Sequence, residues 1–295
     1  MTFNAPVPSP SMPSLLMTQL DLGNITINWL RGGDFEVDGG TLFGDVPKVL
    51  WQLESPADAD NFIRLLNAPL LVRTPEFNII IDTGLGNKLT EKQRQICRVG
   101  RPWSVVEDLH ALGLKREDIQ YVILTHGDYD HTGGVVMKNG SGGAELTFPR
   151  AKHILQKKEW YDISHLNSRS AQSYFPENFS GLQASGMLTV VDGNRQIVEG
   201  VAVRLTGGHT RGHQIVEIRG SGGCAVHLGD VLPTHTHANP LWIMAYDNFP
   251  LELIEQKEHL LPSYRKPNWW FTFYHDISMK ACRLDDLGKV VEQVA

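Results

Sequence analysis

Leu124-Thr125-His126-Gly127-Asp128-Tyr129-Asp130-His131-Thr132-Gly133-Gly134 sets four side chains able to bind a metal, His126, Asp128, Asp130 and His131, within six residues, directly after the mostly apolar run Ile119–Leu124. Imidazoles and carboxylates at i, i+2, i+4 and i+5 behind a buried strand are costly beside a core unless cations compensate them. A solvated polar turn is the plain alternative. It is weakened by what lies elsewhere in the chain.

Similar ionisable groups recur at the ends of other predicted strands. Pro69–Arg73 and Asn78–Asp82 read as a hairpin around Thr74–Phe77 that closes on Asp82-Thr83-Gly84. Val201–Thr206 leads into Gly207-Gly208-His209-Thr210-Arg211-Gly212-His213. Gln214–Arg219 and Cys224–Leu228 form a second hairpin ending at Gly229-Asp230, and the aromatic run Trp269–Tyr274 ends at His275-Asp276. Ile25–Leu30 is a further strand. Helical spacing marks Val105–Leu114, Gln156–Ser164, Asn178–Ser185, Pro250–Leu261 and a closing helix over Leu284–Val294, whereas Asp38–Gly40 reads as a turn and Phe43–Pro47 as a loop.

In this order the motifs resemble the metal-binding motifs of the metallo-β-lactamase superfamily, from about Asn28 to Asp276. The resemblance implies an α/β protein folded as a four-layer αββα sandwich, with residues 21–295 as one domain behind an N-terminal arm of residues 1–20. It implies two divalent metal ions, zinc first among them. One is held by His126, Asp128 and His209, the other by Asp130, His131 and His275, and Asp230 bridges them. The implied nucleophile is a hydroxide between the two ions, since divalent metals bring bound water near neutrality and polarise a scissile carbonyl or phosphoryl oxygen. Asp130 and Asp230 are then the catalytic carboxylates, with Asp130 guiding a proton toward the leaving group. Asp82 and His213 are expected to orient the ligands through hydrogen bonds.

Asp128 departs from the superfamily's H-x-H-x-D-H pattern, which has a second histidine there. Asp128, Asp130, Asp230 and a bridging hydroxide carry four negative charges against four positive, whereas histidine at 128 would leave one positive charge over. The balanced centre is expected to be the weaker Lewis acid, and its two histidines and one private carboxylate per metal suit iron or manganese as well as zinc. Aspartate is also shorter than histidine, which puts its reach in question.

Narrower segments, Asp38–Pro47, Pro233–His237 and Trp242–Asp247, resemble the branch holding quorum-quenching lactonases and organophosphate hydrolases. The implied function is a metal-dependent hydrolase that opens a lactone or cleaves a related ester, with a homodimer expected from the same branch. His235 and His237 are expected on a loop over the metals, and Phe43, Trp242 and Met244 as an apolar wall for an acyl chain. Two alternatives stay open: a non-catalytic ligand-binding descendant with a weakened metal site, and a diiron oxidoreductase suggested by Asp128.

Composition excludes other classes. The 295 residues, 41% hydrophobic and 20% charged, suffice for a large buried core. A net charge of -6 and no Lys/Arg run longer than a pair give no reason to expect nucleic acid or an anionic membrane, so the expected partner is a small molecule. Cys97, Cys224 and Cys282 are too scattered for a disulfide framework or a thiolate zinc site. Met1–Leu20 lacks Lys and Arg and carries Pro6, Pro8, Pro10 and Pro13, unlike a secretory leader, and the expected location is cytoplasmic.

Overall fold

The computed structural model describes residues 18–295. Two seven-stranded sheets carry the fold. The first runs Gln19–Asp21, Thr26–Trp29, Leu70–Arg73, Asn78–Ile81, Tyr121–Ile123, Lys152–Gln156 and Leu188–Val191. The second runs Arg195–Val198, Val201–Leu205, Gln214–Arg219, Cys224–His227, Trp269–Thr272, Ala281–Leu284 and Val290–Val294. Among the described residues no helix is long and apolar enough to cross a membrane.

The apolar strands are explained by burial on both faces. Leu70, Val72, Ile79, Ile81 and Ile123 point inward and meet Val201, Val203, Val216 and Ile218 of the second sheet. The alternate residues Leu71, Ile80, Val122 and Leu124 point outward and pack on Val105, Leu109 and Ile163 from the helices Val105–Ala111 and Lys157–Ser164. On the other side Ile215, Val226 and Phe271 pack on Leu253, Leu260 and Leu261 of the helix Pro250–Tyr264. Period-two alternation between two apolar surfaces makes a strand read as continuously hydrophobic, and it makes the molecule helix, sheet, sheet, helix in section.

Three expectations are corrected. Leu284–Val294 is not a helix: Ala281–Leu284 pairs antiparallel with Val290–Val294 at the edge of the second sheet. Asp285 Oδ1 accepts the amides of Leu287 and Lys289 and Gly288 takes φ 81°, so the chain turns where a helix would have continued. Asp38 is the N-cap of a short helix, Gly39–Phe43, accepting the Thr41 amide at 3.0 Å, so Asp38–Gly40 starts a helix rather than making a turn. Asn178–Ser185 holds the end of a 3-10 turn, Pro176–Phe179, and then irregular turns. Of the arm expected over 1–20, residues 1–17 lie outside the described residues, while Gln19 and Leu20 pair with Asn28 and Ile27 as an edge strand.

Strand direction gathers the site. Asn78–Ile81 and Tyr121–Ile123 are parallel, and so are Cys224–His227 and Trp269–Thr272. Asp82, His126, Asp230 and His275 each follow the carboxyl end of one of these strands, which puts them on one rim of the sandwich.

Candidate metal centre

Each candidate histidine is fixed through its Nδ1. His275 Nδ1 donates to the Leu66 carbonyl at 2.8 Å, and His209 Nδ1 to Asp247 Oδ1 at 2.7 Å. His131 Nδ1 donates to Asp82 Oδ2 at 2.9 Å. Thr125 Oγ1 gives its own proton to Asp82 Oδ2 and so accepts from His126 Nδ1 at 2.9 Å. A neutral imidazole carries one N–H, so in the neutral form that binds a cation all four Nε2 atoms present lone pairs.

Those lone pairs converge on carboxylates. Asp128 Oδ2 lies 3.5 Å from His126 Nε2 and 3.2 Å from His209 Nε2. Asp130 Oδ2 lies 3.7 Å from His131 Nε2 and 3.6 Å from His275 Nε2, and those two nitrogens are 3.1 Å apart. Asp230 is divided between the groups, with Oδ2 3.5 Å from His209 and Oδ1 3.2 and 3.3 Å from His131 and His275. Ligands about 2.1 Å from a tetrahedral metal stand roughly 3.4 Å from one another, which is the spacing seen here. His126 Nε2, Asp128 Oδ1 and Asp230 Oδ1 are buried with no hydrogen-bond partner among the described residues. The donor set therefore fits two cations, with His126, Asp128 and His209 able to hold one, Asp130, His131 and His275 the other, and Asp230 able to bridge. Asp128 does reach.

The electrostatics agree. Burial alone would lower the pKa of His131, but Asp230, Asp130 and Asp82 outweigh it and push the imidazole well above its usual value. His209 behaves the same way against Asp128 and Asp247. Protons are held where cations would displace them.

The surrounding chain is built to hold this geometry. Asp82 sits in the left-handed region at φ 55° and accepts the Thr125 amide at 2.8 Å. Its carboxyl stays below the usual range although burial opposes this, because His131 and His227 outweigh it. His213 donates from Nδ1 to Thr206 Oγ1 at 2.9 Å and accepts the Asp230 amide on Nε2 at 3.2 Å, and burial holds it neutral. Gly133 must be glycine, since a Cβ there would stand 2.1 Å from the Leu85 carbonyl oxygen.

Several contributors were not read from sequence. Glu159, on the helix Lys157–Ser164, is fully buried and joins two ligand-bearing loops. Oε1 accepts the Gly127 amide at 2.7 Å and the Tyr174 hydroxyl at 2.5 Å, while Oε2 accepts Thr210 Oγ1 at 2.8 Å and the Gly212 amide at 3.0 Å. Asp247 orients His209 and is itself fixed by the Met244 amide at 2.6 Å. Tyr274 stacks on His131 and donates to the Asp130 carbonyl at 2.8 Å. An isolated glutamate on an amphipathic helix gives no signal for such a role. Only the fold brings Gly127 and Gly212 to it.

A cavity of about 320 Å³ opens on the cluster, lined by Asp128, Asp130, Asp230 and His275 with Phe35, Val37, Leu65, Tyr129, Arg169, Gln172, Ser173, Tyr246 and Asn248. The residues expected to touch substrate are not in that lining. Phe43 stacks between Trp51 and His237, and Met244 and Trp242 pack in the same apolar cluster. His235 is tied to Asp276, its amide donating to Oδ2 at 2.9 Å. The apolar wall comes instead from the two-stranded sheet Asp34–Asp38 and Phe62–Leu66. Short, partly polar strands such as these carry little pocket signal.

His237 has a structural consequence of its own. Fully buried, it accepts from Thr234 Oγ1 at 2.8 Å and donates to the Leu42 carbonyl at 3.1 Å, and burial pushes its pKa from 6.5 down to about 3. Below pH 6.5 the unfolded chain takes up a proton that the native state refuses until about pH 3, so stability falls as pH falls through that window. Urea unfolding at about pH 7 and about pH 4.5 should show His237→Gln losing roughly 2 kcal/mol less than wild type over that interval. Equal acid losses in the two proteins would contradict this.

Residues 67–279 match the family model for the metallo-beta-lactamase superfamily. A crystal structure of a probable metal-dependent hydrolase from Staphylococcus aureus is 36% identical and superimposes with a TM-score of 0.88, covering 93% of this chain and 98% of that one. AidC, a dizinc quorum-quenching lactonase solved with its product N-hexanoyl-L-homoserine, shares the fold at 21% identity and a TM-score of 0.75, covering 94% and 96%. The N-acyl homoserine lactonase AiiA of Bacillus thuringiensis subsp. kurstaki is 24% identical over 239 residues, 75% of this chain and 87% of that protein. With the family match covering residues 67–279, which include every strand end that carries a candidate ligand, this chain belongs to the metallo-β-lactamase superfamily.

Proposed function

We propose that the protein is a dinuclear metal hydrolase that opens a lactone or cleaves a related ester in a small molecule. The observation carrying this is the four fixed imidazoles whose Nε2 lone pairs meet three carboxylates at the floor of one cavity. Kinship with proteins described as lactonases and metal-dependent hydrolases supports the class of reaction. Two bound divalent ions, zinc first among the candidates, supply an acidified water and polarise the scissile carbonyl.

The chain's own groups do the rest. Asp130, at the cavity floor, takes a proton from the attacking water and passes it to the leaving oxygen as the new carbon–oxygen bond forms and the ester bond breaks. Tyr246 lines the same cavity. Its phenol O–H can donate a hydrogen bond to a substrate oxygen. Phe35, Val37 and Leu65 receive the apolar part of the substrate and exclude water from it.

The test is hydrolysis by zinc-loaded protein across acyl-homoserine lactones, simple lactones, aryl esters and phosphotriesters. Turnover of lactones or esters is expected, and no turnover of any member would overturn the reading. Asp128→His should raise zinc affinity and increase kcat on the best substrate by about tenfold, because it restores one positive charge to the centre. Unchanged zinc content and rate would show that position 128 does not set Lewis acidity.

A further inference from the structure

Arg169 introduces a charge that a neutral lactone does not need. It lies on the segment Asn167–Ser173, where Asn167 Oδ1 accepts the amides of Arg169 at 2.9 Å and Ser170 at 3.0 Å and so fixes the backbone. Its guanidinium is held by neutral acceptors alone. Nη2 donates to the carbonyls of Ala245 at 3.2 Å and Asp247 at 3.3 Å, and Nε donates to Asn248 Oδ1. Neighbouring Arg211, by contrast, pairs with Asp162. The two N–H groups of Arg169 Nη1 have no acceptor among the described residues.

Arg169 is exposed and lines the cavity over the metal cluster, with Gln172, Ser173 and Asn248 beside it, as well as a smaller pocket of about 160 Å³ that Asp162 and Arg211 also line. Among the described lining residues Arg169 is the one permanent cation. Asp128, Asp130 and Asp230 line the cavity too, but with two divalent ions bound their charge is balanced, and Arg169 is not cancelled by them. The segment receiving the fork is also the one that orients His209, through Asp247 Oδ1 at 2.7 Å and the Asn248 amide to the His209 carbonyl at 2.8 Å. With Nε and Nη2 already engaged, Nη1 is the nitrogen left to a ligand, and a hydrogen bond from it to a charged carboxylate is about twice as strong as one between neutral groups.

Resting on the hydrolase reading, we propose that Arg169 is a specificity residue and that the substrate is a lactone or ester bearing a carboxylate near the scissile bond. Arg169 binds that carboxylate through Nη1 while the apolar wall of Phe35, Val37 and Leu65 takes the hydrocarbon.

The experiment compares the γ-carboxylate of γ-butyrolactone with the matching γ-carboxamide, using zinc-loaded wild-type, Arg169→Gln and Arg169→Lys proteins. Wild type should favour the carboxylate by about tenfold or more in kcat/KM, mostly through KM. That ratio should approach one in Arg169→Gln and be intermediate in Arg169→Lys. Reading the ratio removes any general loss from a loosened Ala245–Asn248 segment. Equal kcat/KM for the two lactones in wild type would overturn the proposal, as would a carboxylate preference unaltered in Arg169→Gln, which would assign it to the metals. Calorimetric binding of the same two compounds separates this proposal from the hydrolase reading. If neither is hydrolysed, tighter carboxylate binding that disappears in Arg169→Gln upholds Arg169 while the hydrolase reading fails; equal binding refutes the role of Arg169.

Discussion

Glu159→Ala is expected to destabilise the protein by about 3–5 kcal/mol and to weaken metal binding by about 10–100-fold. The Glu159 carboxylate accepts four hydrogen bonds in a fully buried position, from Gly127, Tyr174, Thr210 and Gly212. Alanine leaves all four donors without an acceptor and opens a void between the loop of His126 and the loop of His209. Glu159→Gln is the sharper probe. An amide offers one acceptor oxygen and turns N–H groups toward two donors, so it should also lose stability while keeping the volume. Chemical unfolding and competition with a chromophoric zinc chelator read the two effects. Wild-type stability and zinc affinity in both variants would show that the two loops are held without Glu159.

Asp230→Asn should reduce bound metal below two per chain and lower kcat/KM by at least about a hundredfold. Asp230 is the residue whose two oxygens face different histidine groups, Oδ2 toward His209 and Oδ1 toward His131 and His275. An amide removes one negative charge and presents N–H groups to one side or the other, where imidazole lone pairs already point. Circular dichroism should stay close to wild type, because the Asp230 amide remains bound to His213 Nε2. Two tightly bound metals and near-normal turnover in Asp230→Asn would mean that the two histidine groups act separately.

Much of this was legible in the sequence because ligand side chains follow strands buried on both faces. Runs such as Leu70–Val72 and Ile79–Ile81 announce themselves, and His126, His209, Asp230 and His275 stand just beyond strand ends. The closing segment was misread because Leu284, Leu287, Val290, Val291 and Val294 suit a helix by spacing, while Asp285 and Gly288 make a turn that spacing does not weigh. The pocket was harder still. Phe43 and Met244 are apolar and near the motifs in sequence, yet they pack against Trp51, and the wall facing the metals comes from Phe35, Val37 and Leu65. All of these side chains share one apolar cluster, and hydrophobicity says that a side chain will be buried, not which members of a cluster face the cavity. Glu159 and Arg169 were invisible for a related reason, since each acts through partners distant in sequence, and Asp247 stood in a recognised segment without its link to His209 being legible.

The central claim is that His126, Asp128, Asp130, His131, His209, Asp230 and His275 form one dinuclear centre, and zinc titration of the metal-free protein tests it most directly. Calorimetry with elemental analysis of the dialysed product should reach two zinc ions per chain in wild type and fewer in Asp230→Asn. A wild-type plateau at one equivalent or at none would contradict the account.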